Sequence, residues 1–327
     1  MCLGAQGAPP PVTLTYLKIP SCPLTHLTNQ SALQTLLNSY KKGSHFVVIR
    51  RTSEEPGGGK EGWYMEEVYK FCWDYTFHVL RCPPQSVTVF PPLPNVATGS
   101  FLESTLPSIT HMFGSSDAAG LESGDINDHF EAVNKIRSLE GLPPIPELTV
   151  IPKFEISSPH KFLHTPFTAW RSPHVASYSK VVVGGTFDRL HYGHRRLLTL
   201  SVASLEPKTG VLTVGVADEG MVKSKSNSGM IQPVSERISN VRDFLSCLSP
   251  GTKNGVRIIP ISSSYGTATS DPAIDAIVLT DETVKGGEEI NRIRRESGWK
   301  ELDMLVVCRG EQGTMSSQIV RRRENCE

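Results

Sequence analysis

The sequence has no excess of charge of either sign and no long apolar run. Its 327 residues include 33 Lys and Arg and 33 Asp and Glu. Proteins that bind nucleic acid or anionic membranes carry a basic excess, so this balance argues against both kinds of partner. No apolar run reaches the roughly 18 residues that a membrane span requires. The length allows about two domains, and we expect a protein with neither a nucleic-acid partner nor a membrane partner.

No two of the seven cysteines form a Cys-x-x-Cys pair, which argues against a zinc ribbon and a thioredoxin motif. Their scatter is typical of a reduced intracellular protein. Residues 1–8 lack the basic and apolar regions of a signal peptide. No acidic residue precedes Glu54, and acid-poor segments also occur in organelle transit peptides. Because residues 45–50 already indicate a buried strand, we expect a cytoplasmic protein and keep organellar targeting as the alternative.

The first 178 residues contain no motif that indicates a chemistry. Proline in residues 1–28 and Pro, Gly and Ser in residues 92–128 predict irregular segments, and residues 144–178 show no clear period. Helices are predicted over residues 29–42, 62–82 and 128–140, and a strand over residues 45–51. We interpret this mixture as an α+β N-terminal region of unknown function, which could hold a partner or a second copy of the chain.

Residues 179–327 alternate between short apolar runs and helix-length amphipathic segments. Near-continuous Val/Ile runs suit the strands of a parallel sheet that is buried on both faces. The pattern predicts an α/β domain with a Rossmann-like, doubly wound, parallel five-stranded sheet. The predicted strands are 181–185, 212–217, 256–261, 276–280 and 304–308, and the predicted helices are 193–205, 233–248 and about 285–297.

The first of these strands runs into a motif with chemical content, Gly-Gly-Thr-Phe-Asp-Arg-Leu-His-Tyr-Gly-His over residues 184–194. Gly184 and Gly185 allow a tight turn and a close approach to a ligand. His191 and His194 flank Gly193 where a helix begins, and a helix N-terminus suits phosphate. A zinc site fits less well, because no third ligand cluster lies nearby in the sequence.

These residues resemble the His-x-Gly-His nucleotidyltransferases, and more closely the phosphopantetheine adenylyltransferase family of the eukaryotic and archaeal type. The resemblance covers roughly residues 179–323. It continues through Lys223-Ser-Lys225, Glu236-Arg237, the block from Asn291 to Arg294, and Met315-Ser-Ser317 with Arg321. No Gly-x-x-x-x-Gly-Lys-Ser/Thr loop occurs, so the kinase half of the bifunctional coenzyme A synthase is absent from this sequence.

The resemblance implies adenylyl transfer from ATP to 4′-phosphopantetheine, giving dephospho-CoA and pyrophosphate, with Mg²⁺ bound through the ATP phosphates and no protein metal site. It implies that His191 and His194 contact the ATP phosphates, that Thr186 orients the incoming phosphate, and that Lys223 or Lys225 clamps it. It also places Arg294 across the cleft on the phosphates. The implied ATP-binding residues are Gly184, Gly185, Thr186, Phe187, His191, Gly193, His194, Ser316, Ser317 and Arg321.

Two departures and two alternatives accompany this interpretation. Met315 and Gln318 replace residues that are more usual in the family's Ile-Ser-Ser-Thr phosphate loop. A cytidylyltransferase of the same superfamily, acting on a phosphorylated alcohol, is the second enzyme hypothesis. A non-catalytic nucleotide-binding scaffold is the hypothesis of another class, and the intact Thr186, His191 and His194 argue against it.

Overall fold

The computed structural model divides the chain into two compact units. Met1–Pro91 with Leu102–Trp170 form the N-terminal unit, and Pro92–Phe101 with Arg171–Glu327 form the C-terminal unit. The sequence analysis set the boundary between residues 178 and 179, which remains a prediction. The structure describes residues 11–18, 23–40, 43–50, 68–69, 71–72, 75, 86–90, 108–115, 125–151, 178–206, 209–223, 225, 228–248 and 255–307.

The N-terminal unit contains a five-stranded sheet whose strands lie in the order β3-β2-β1-β4-β5, and every neighbouring pair is parallel. We predicted an α+β region here, whereas parallel pairing with intervening helices makes it α/β. The strands are β1 (Val12–Lys18), β2 (Ser44–Arg50), β3 (Ser86–Phe90), β4 (His111–Ser115) and β5 (Leu148–Ile151), and two of the helices are α1 (Pro23–Ser39) and α2 (Asp125–Leu139).

β1 and β4 lie where the sequence analysis expected irregular structure, and β5 lies in a stretch for which it found no clear period. The sequence analysis missed β1 because prolines surround it, although its alternating threonines are β-branched and suit a strand. β4 contains no Val or Ile, and β5 has only four residues. The strand predicted over residues 45–51 is confirmed as β2. Most of the helix predicted over residues 62–82 lies outside the described residues.

The C-terminal unit contains the predicted parallel sheet, in the order β10-β9-β6-β7-β8. Each strand begins and ends within one residue of its predicted bounds. The strands are β6 (Lys180–Gly185), β7 (Val211–Ala217), β8 (Val256–Ile261), β9 (Ala276–Thr280) and β10 (Asp303–Val307), and the α-helices are α3 (Tyr192–Ala203), α4 (Glu219–Val222), α5 (Val234–Leu248) and α6 (Val284–Glu296).

The core of the C-terminal unit explains its strand composition. The interior strand β9 is buried from Ala276 to Leu279, whereas the edge strand β10 leaves Val306 exposed. Gly287 of α6 allows that helix to pack closely, because a Cβ there would clash with Leu279 Cδ1. No described helix is both long and apolar enough to cross a membrane.

Sheet topology fixes where a ligand would bind. The chain leaves β6, builds β7 and β8 on one side, and then returns to place β9 and β10 on the other. In open α/β sheets ligands bind beyond the carboxyl ends of the strands, at the point where the direction of winding reverses. The carboxyl end of β6 lies at that point, and the motif over residues 184–194 begins there.

Candidate active site

The carboxyl end of β6 presents two glycines with different roles. Gly184 is exposed, and a Cβ there would meet only Ile261 Cδ1 at 3.9 Å. A Cβ on Gly185 would lie 3.0 Å from two ring atoms of Phe187, which is tighter than most real Cβ contacts. Gly185 therefore gives space to the Phe187 ring, while Gly184 leaves the strand end open on the ligand side.

The turn that follows has an unusual backbone. Phe187 and Arg189 both adopt left-handed conformations, with φ of 51° and 46°, which cost free energy in residues other than glycine. Asp188 between them is fully buried, and its carboxylate accepts hydrogen bonds from Arg189 Nη1 at 3.2 Å and from the Gln232 amide at 3.0 Å. The Gln232 side chain in turn accepts from the Arg189 amide at 2.7 Å. Asp188 and Gln232 thus hold the strained turn.

His191 and His194 come together at the start of α3. Their rings stack with centroids 3.9 Å apart and planes 22° apart, and the Phe187 ring lies 5.3 Å from that of His194. His191 is the N-cap residue of this helix, and its side chain makes no capping hydrogen bond. Gly193, the second residue of α3, is half-buried.

His194 is held in the neutral form. Burial first, and the charge of Lys225 second, lower the pKa of His194 from 6.5 to about 3. Part of the residue remains accessible, but Nδ1 is buried and has no hydrogen-bond partner among the described residues. A stacked pair of imidazolium cations would repel, and the lowered pKa removes one of those charges.

One of the two candidate lysines reaches the motif. Lys225 donates a hydrogen bond of 2.6 Å from Nζ to the Thr186 hydroxyl. Lys223 directly follows α4, and its side chain is exposed. The sequence analysis left the choice between them open, and the geometry brings Lys225 rather than Lys223 to Thr186.

Arg237 supports the site through hydrogen bonds to the backbone around it, and the sequence analysis gave it no role. Its guanidinium is fully buried in α5. Nη1 donates to the carbonyls of Thr186 at 2.8 Å and Ala217 at 2.7 Å, and Nε donates to the Gln232 carbonyl at 2.8 Å. A signal was present, since Glu236-Arg237 belongs to the segment that carries the resemblance, but a buried arginine cannot be told from a surface one by spacing alone.

Arg294 is placed differently from its predicted position on the phosphates. All five N–H donors of its buried guanidinium are directed at backbone carbonyls, and the side chain lies 5.5 Å from the Trp299 ring centroid. The accepting carbonyls belong to Lys300, Ala268, Asp271, Pro272 and Ile274, at 2.8 to 3.2 Å. With no donor left for a phosphate, Arg294 holds the segment before β9.

The predicted phosphate loop with Ser316, Ser317 and Arg321 lies outside the described residues. Within the described part of the chain, no group of three His, Cys, Asp or Glu side chains forms a metal cage. The motif's carboxylate, Asp188, is already engaged by Arg189 and Gln232.

Comparison with known proteins places the chain in a family. A family model described as cytidylyltransferase-like matches residues 182–323. The phosphopantetheine adenylyltransferase of Methanopyrus kandleri is 40% identical over 133 residues, which make up 41% of this chain and 80% of that protein. The chain belongs to the phosphopantetheine adenylyltransferase family. Another member, from Pyrococcus horikoshii, is 37% identical over 130 residues, which cover 40% of this chain and 78% of its own.

The phosphopantetheine adenylyltransferase of Saccharomyces cerevisiae is 31% identical over 125 residues, covering 38% of this chain and 39% of that protein. A solved structure from Archaeoglobus fulgidus, of a protein with unknown function, is 27% identical with a TM-score of 0.34. The match covers 42% of this chain and 93% of the Archaeoglobus fulgidus chain.

Proposed function

We propose that the chain transfers the adenylyl group of ATP to 4′-phosphopantetheine. An oxygen of the phosphopantetheine phosphate attacks the α-phosphorus of ATP, and the bond from that phosphorus to the bridging oxygen breaks. Dephospho-CoA and pyrophosphate are the products. The observation that carries the proposal is the hydrogen bond from Lys225 to Thr186 beside the His191–His194 pair, all at the carboxyl end of β6.

The reaction brings two anions together, so it requires positive charge and positioning more than a strong base. The site supplies charge from Lys225 and from the N-terminus of α3. The incoming phosphate already carries negative oxygens and needs no deprotonation. We assign the main catalytic contribution to electrostatic stabilisation at the α-phosphate.

Thr186 and Lys225 would act together on the incoming phosphate. The Thr186 hydroxyl accepts from Lys225 and so keeps its own hydrogen to donate to a phosphate oxygen. The ammonium group has further N–H donors for the same anion. Substrate binding would thus place one phosphate against both groups.

His191 and His194 would bind the ATP phosphates. Because His194 is neutral above about pH 3, it contributes a hydrogen bond rather than a cation. Gly184, Gly185, Phe187 and Gly193 would line the nucleotide, and Ser316, Ser317 and Arg321 would reach its outer phosphates. Arg294 is not part of this set, because carbonyls take all its donors.

Mg²⁺ would enter with ATP. Hard divalent ions of this kind are held largely by phosphate oxygens and water in nucleotide sites, with few protein ligands. Asp188, the carboxylate of the motif, is already engaged by Gln232, so we assign it no role as a ligand of the ion. The ion would neutralise phosphate charge.

Pyrophosphate release with ATP and 4′-phosphopantetheine tests the function, with CTP and phosphocholine as the matched arm. We expect release with the first pair and a large loss in His191→Ala. Release only with the second pair would favour a cytidylyltransferase. ATP binding without release from either pair would favour the scaffold. The cytoplasmic location and any oligomeric contact through residues 1–178 remain predictions.

A further inference from the structure

The two units of the chain share one strand order. Numbered within its own unit, each sheet reads 3-2-1-4-5, and every neighbouring pair is parallel. This order is common among α/β proteins, so topology alone does not establish a relationship. The side-chain contacts that hold the strands are far more specific, and they coincide as well.

The first contact joins strand one to strand four in each unit. In the N-terminal unit the Val12 amide donates to the Thr110 side chain at 3.0 Å, and the Thr110 amide donates back to the Val12 carbonyl at 2.8 Å. In the C-terminal unit the Lys180 amide donates to the Asp275 side chain at 2.9 Å, and the Asp275 amide returns to the Lys180 carbonyl at 3.0 Å. Both polar side chains directly precede the fourth strand.

The second contact is an asparagine on the last helix before the fifth strand. Asn134 of α2 both accepts from and donates to the backbone of Ile145, eleven residues further on. Asn291 of α6 does the same with Leu302, also eleven residues further on. Both partners are buried, at 3% exposure each.

The third contact is a buried arginine three residues after each asparagine. Arg137 Nε donates to the Pro143 carbonyl, and Arg294 Nε to the Lys300 carbonyl, each six residues further on. Arg137 Nη1 then reaches the Ile109 carbonyl, and Arg294 Nη2 the Ile274 carbonyl. Ile109 and Ile274 each lie two residues before the fourth strand.

Both helices also end in the same way, with a left-handed glycine, Gly141 or Gly298. The same number of residues separates Asn134 from Asn291, Arg137 from Arg294, and Gly141 from Gly298. A chance convergence on a common fold gives no reason for the asparagine, the arginine and the glycine cap to recur at one constant spacing.

The catalytic residues do not recur. Thr13 and Val181 each pair with the first residue of the fourth strand, which makes Tyr16, Leu17 and Lys18 the counterparts of Gly184, Gly185 and Thr186. Tyr16 and Leu17 are fully buried, so the strand end is filled where the C-terminal unit is open. Residues 18–42 contain no glycine, and therefore no His-x-Gly-His.

We propose that the N-terminal unit is a second, catalytically silent copy of the nucleotidyltransferase module. That the N-terminal unit is catalytically silent rests on the proposed function, whereas that it is a copy of the C-terminal module does not. The chain accordingly has two modules of one architecture and a single nucleotide site. The N-terminal module keeps the anchors that hold the sheet and has lost the open strand end that admits a phosphate.

Hydrogen exchange of the full chain tests the copy. Asn134→Ala should speed exchange of the Ile145 amide by about tenfold or more and loosen β4 and β5 only. Asn291→Ala should do the same to Leu302, β9 and β10. If Asn134→Ala does not fold, Arg137→Lys replaces it as the test variant. Lys135→Ala is the control, because Lys135 lies on the exposed side of α2. If the Ile145 amide stays protected in both Asn134→Ala and Arg137→Lys, the proposal that the N-terminal unit is a copy is wrong.

Titration calorimetry with ATP and Mg²⁺ tests the single site. We expect one ATP for each wild-type chain, and none for the combined variant His191→Ala, His194→Ala, Lys225→Met. A second equivalent, or one that survives in the combined variant, would overturn the silent assignment. A chain that binds one ATP but releases no pyrophosphate with 4′-phosphopantetheine would refute the proposed function and leave the copy standing.

Discussion

Lys225 Nζ lies 2.6 Å from Thr186 Oγ1, and this contact joins the segment after β7 to the turn after β6. A charged donor is thereby placed at the one point where the sheet topology predicts a ligand. The ammonium and the hydroxyl are both presented to the space beyond the strand ends. Their partnership makes predictions that separate Lys225 from its neighbour Lys223.

Lys225→Met should lower kcat/KM for 4′-phosphopantetheine by about tenfold to a hundredfold. A hydrogen bond to a charged group contributes about 1.5–3 kcal/mol, and here it would act on the incoming phosphate. Lys223→Met is the matched control, because it removes the same charge two residues away while the bond from Lys225 to Thr186 stays in place. Steady-state pyrophosphate release measures both. Equal losses in the two variants would contradict the assignment of Lys225.

The two glycines of β6 should respond differently to alanine. Gly185→Ala places a Cβ 3.0 Å from the buried Phe187 ring, which the left-handed backbone prevents from moving freely, so we expect about 1–3 kcal/mol of lost stability. Gly184→Ala has room in the fold and should unfold like the wild type, while its methyl group weakens ATP binding. Urea unfolding and ATP titration distinguish these outcomes; a stable Gly185→Ala chain would contradict the packing argument.

His194 should not titrate in the physiological range. Its pKa of about 3 predicts an imidazole NMR signal that stays at the neutral position from pH 8 to pH 5, where an ordinary histidine near 6.5 changes. The unfolded chain takes up this proton below about pH 6.5, but the folded chain does so only near pH 3. The free energy of unfolding therefore falls as pH is lowered through that window, by up to about 1.4 kcal/mol per pH unit.

His194→Asn removes this proton uptake. The variant should lose less stability than the wild type between pH 7 and pH 5, as measured by urea unfolding at both values. An imidazole signal of His194 that moves with a midpoint near pH 6.5 would show that the ring is not held neutral.

Arg294→Lys should lower stability and leave the chemistry of the folded chain almost unchanged. A lysine cannot supply five donors, so carbonyls between Ala268 and Ile274 lose their partners, and those of Ala268 and Ile274 themselves are buried. We expect about 2–4 kcal/mol of lost stability, with KM for ATP within about twofold of wild type below the melting temperature. A rise in KM of tenfold or more would restore the phosphate role that the resemblance implied.

Apolar runs predicted the strands of the C-terminal unit well, because a sheet buried on both faces leaves a continuous Val/Ile signal. The same reasoning failed for β1 and β4, where threonines, methionine and glycine form strands that pairing with their neighbours stabilises. The sequence could not show which of Arg292, Arg294 and Arg295 is buried, because the three arginines lie within four residues. Lys225 and Lys223 are equivalent in sequence and differ only through the loop that carries them.

Arg237→Lys should weaken the site by displacing the Thr186–Lys225 pair. One nitrogen of Arg237 bonds the carbonyls of both Thr186 and Ala217, and Ala217 leads directly into the segment that carries Lys225. The single ammonium nitrogen of a lysine cannot take the places of both Nε and Nη1, so at least one of the three carbonyls loses its bond. A displacement of about 1 Å can cost about a hundredfold in rate. We expect kcat to fall. We also expect KM to rise more for 4′-phosphopantetheine than for ATP.

A double-mutant cycle decides whether Arg237 acts through Lys225. If it does, Arg237→Lys costs less in a Lys225→Met background, because the amine that it positions is already gone, and the two losses are not additive. Asn291→Ala serves as the control for general destabilisation, since Asn291 holds Leu302 and should combine additively with Lys225→Met. Full additivity of Arg237→Lys and Lys225→Met in kcat/KM would reduce Arg237 to a structural arginine, like Arg294.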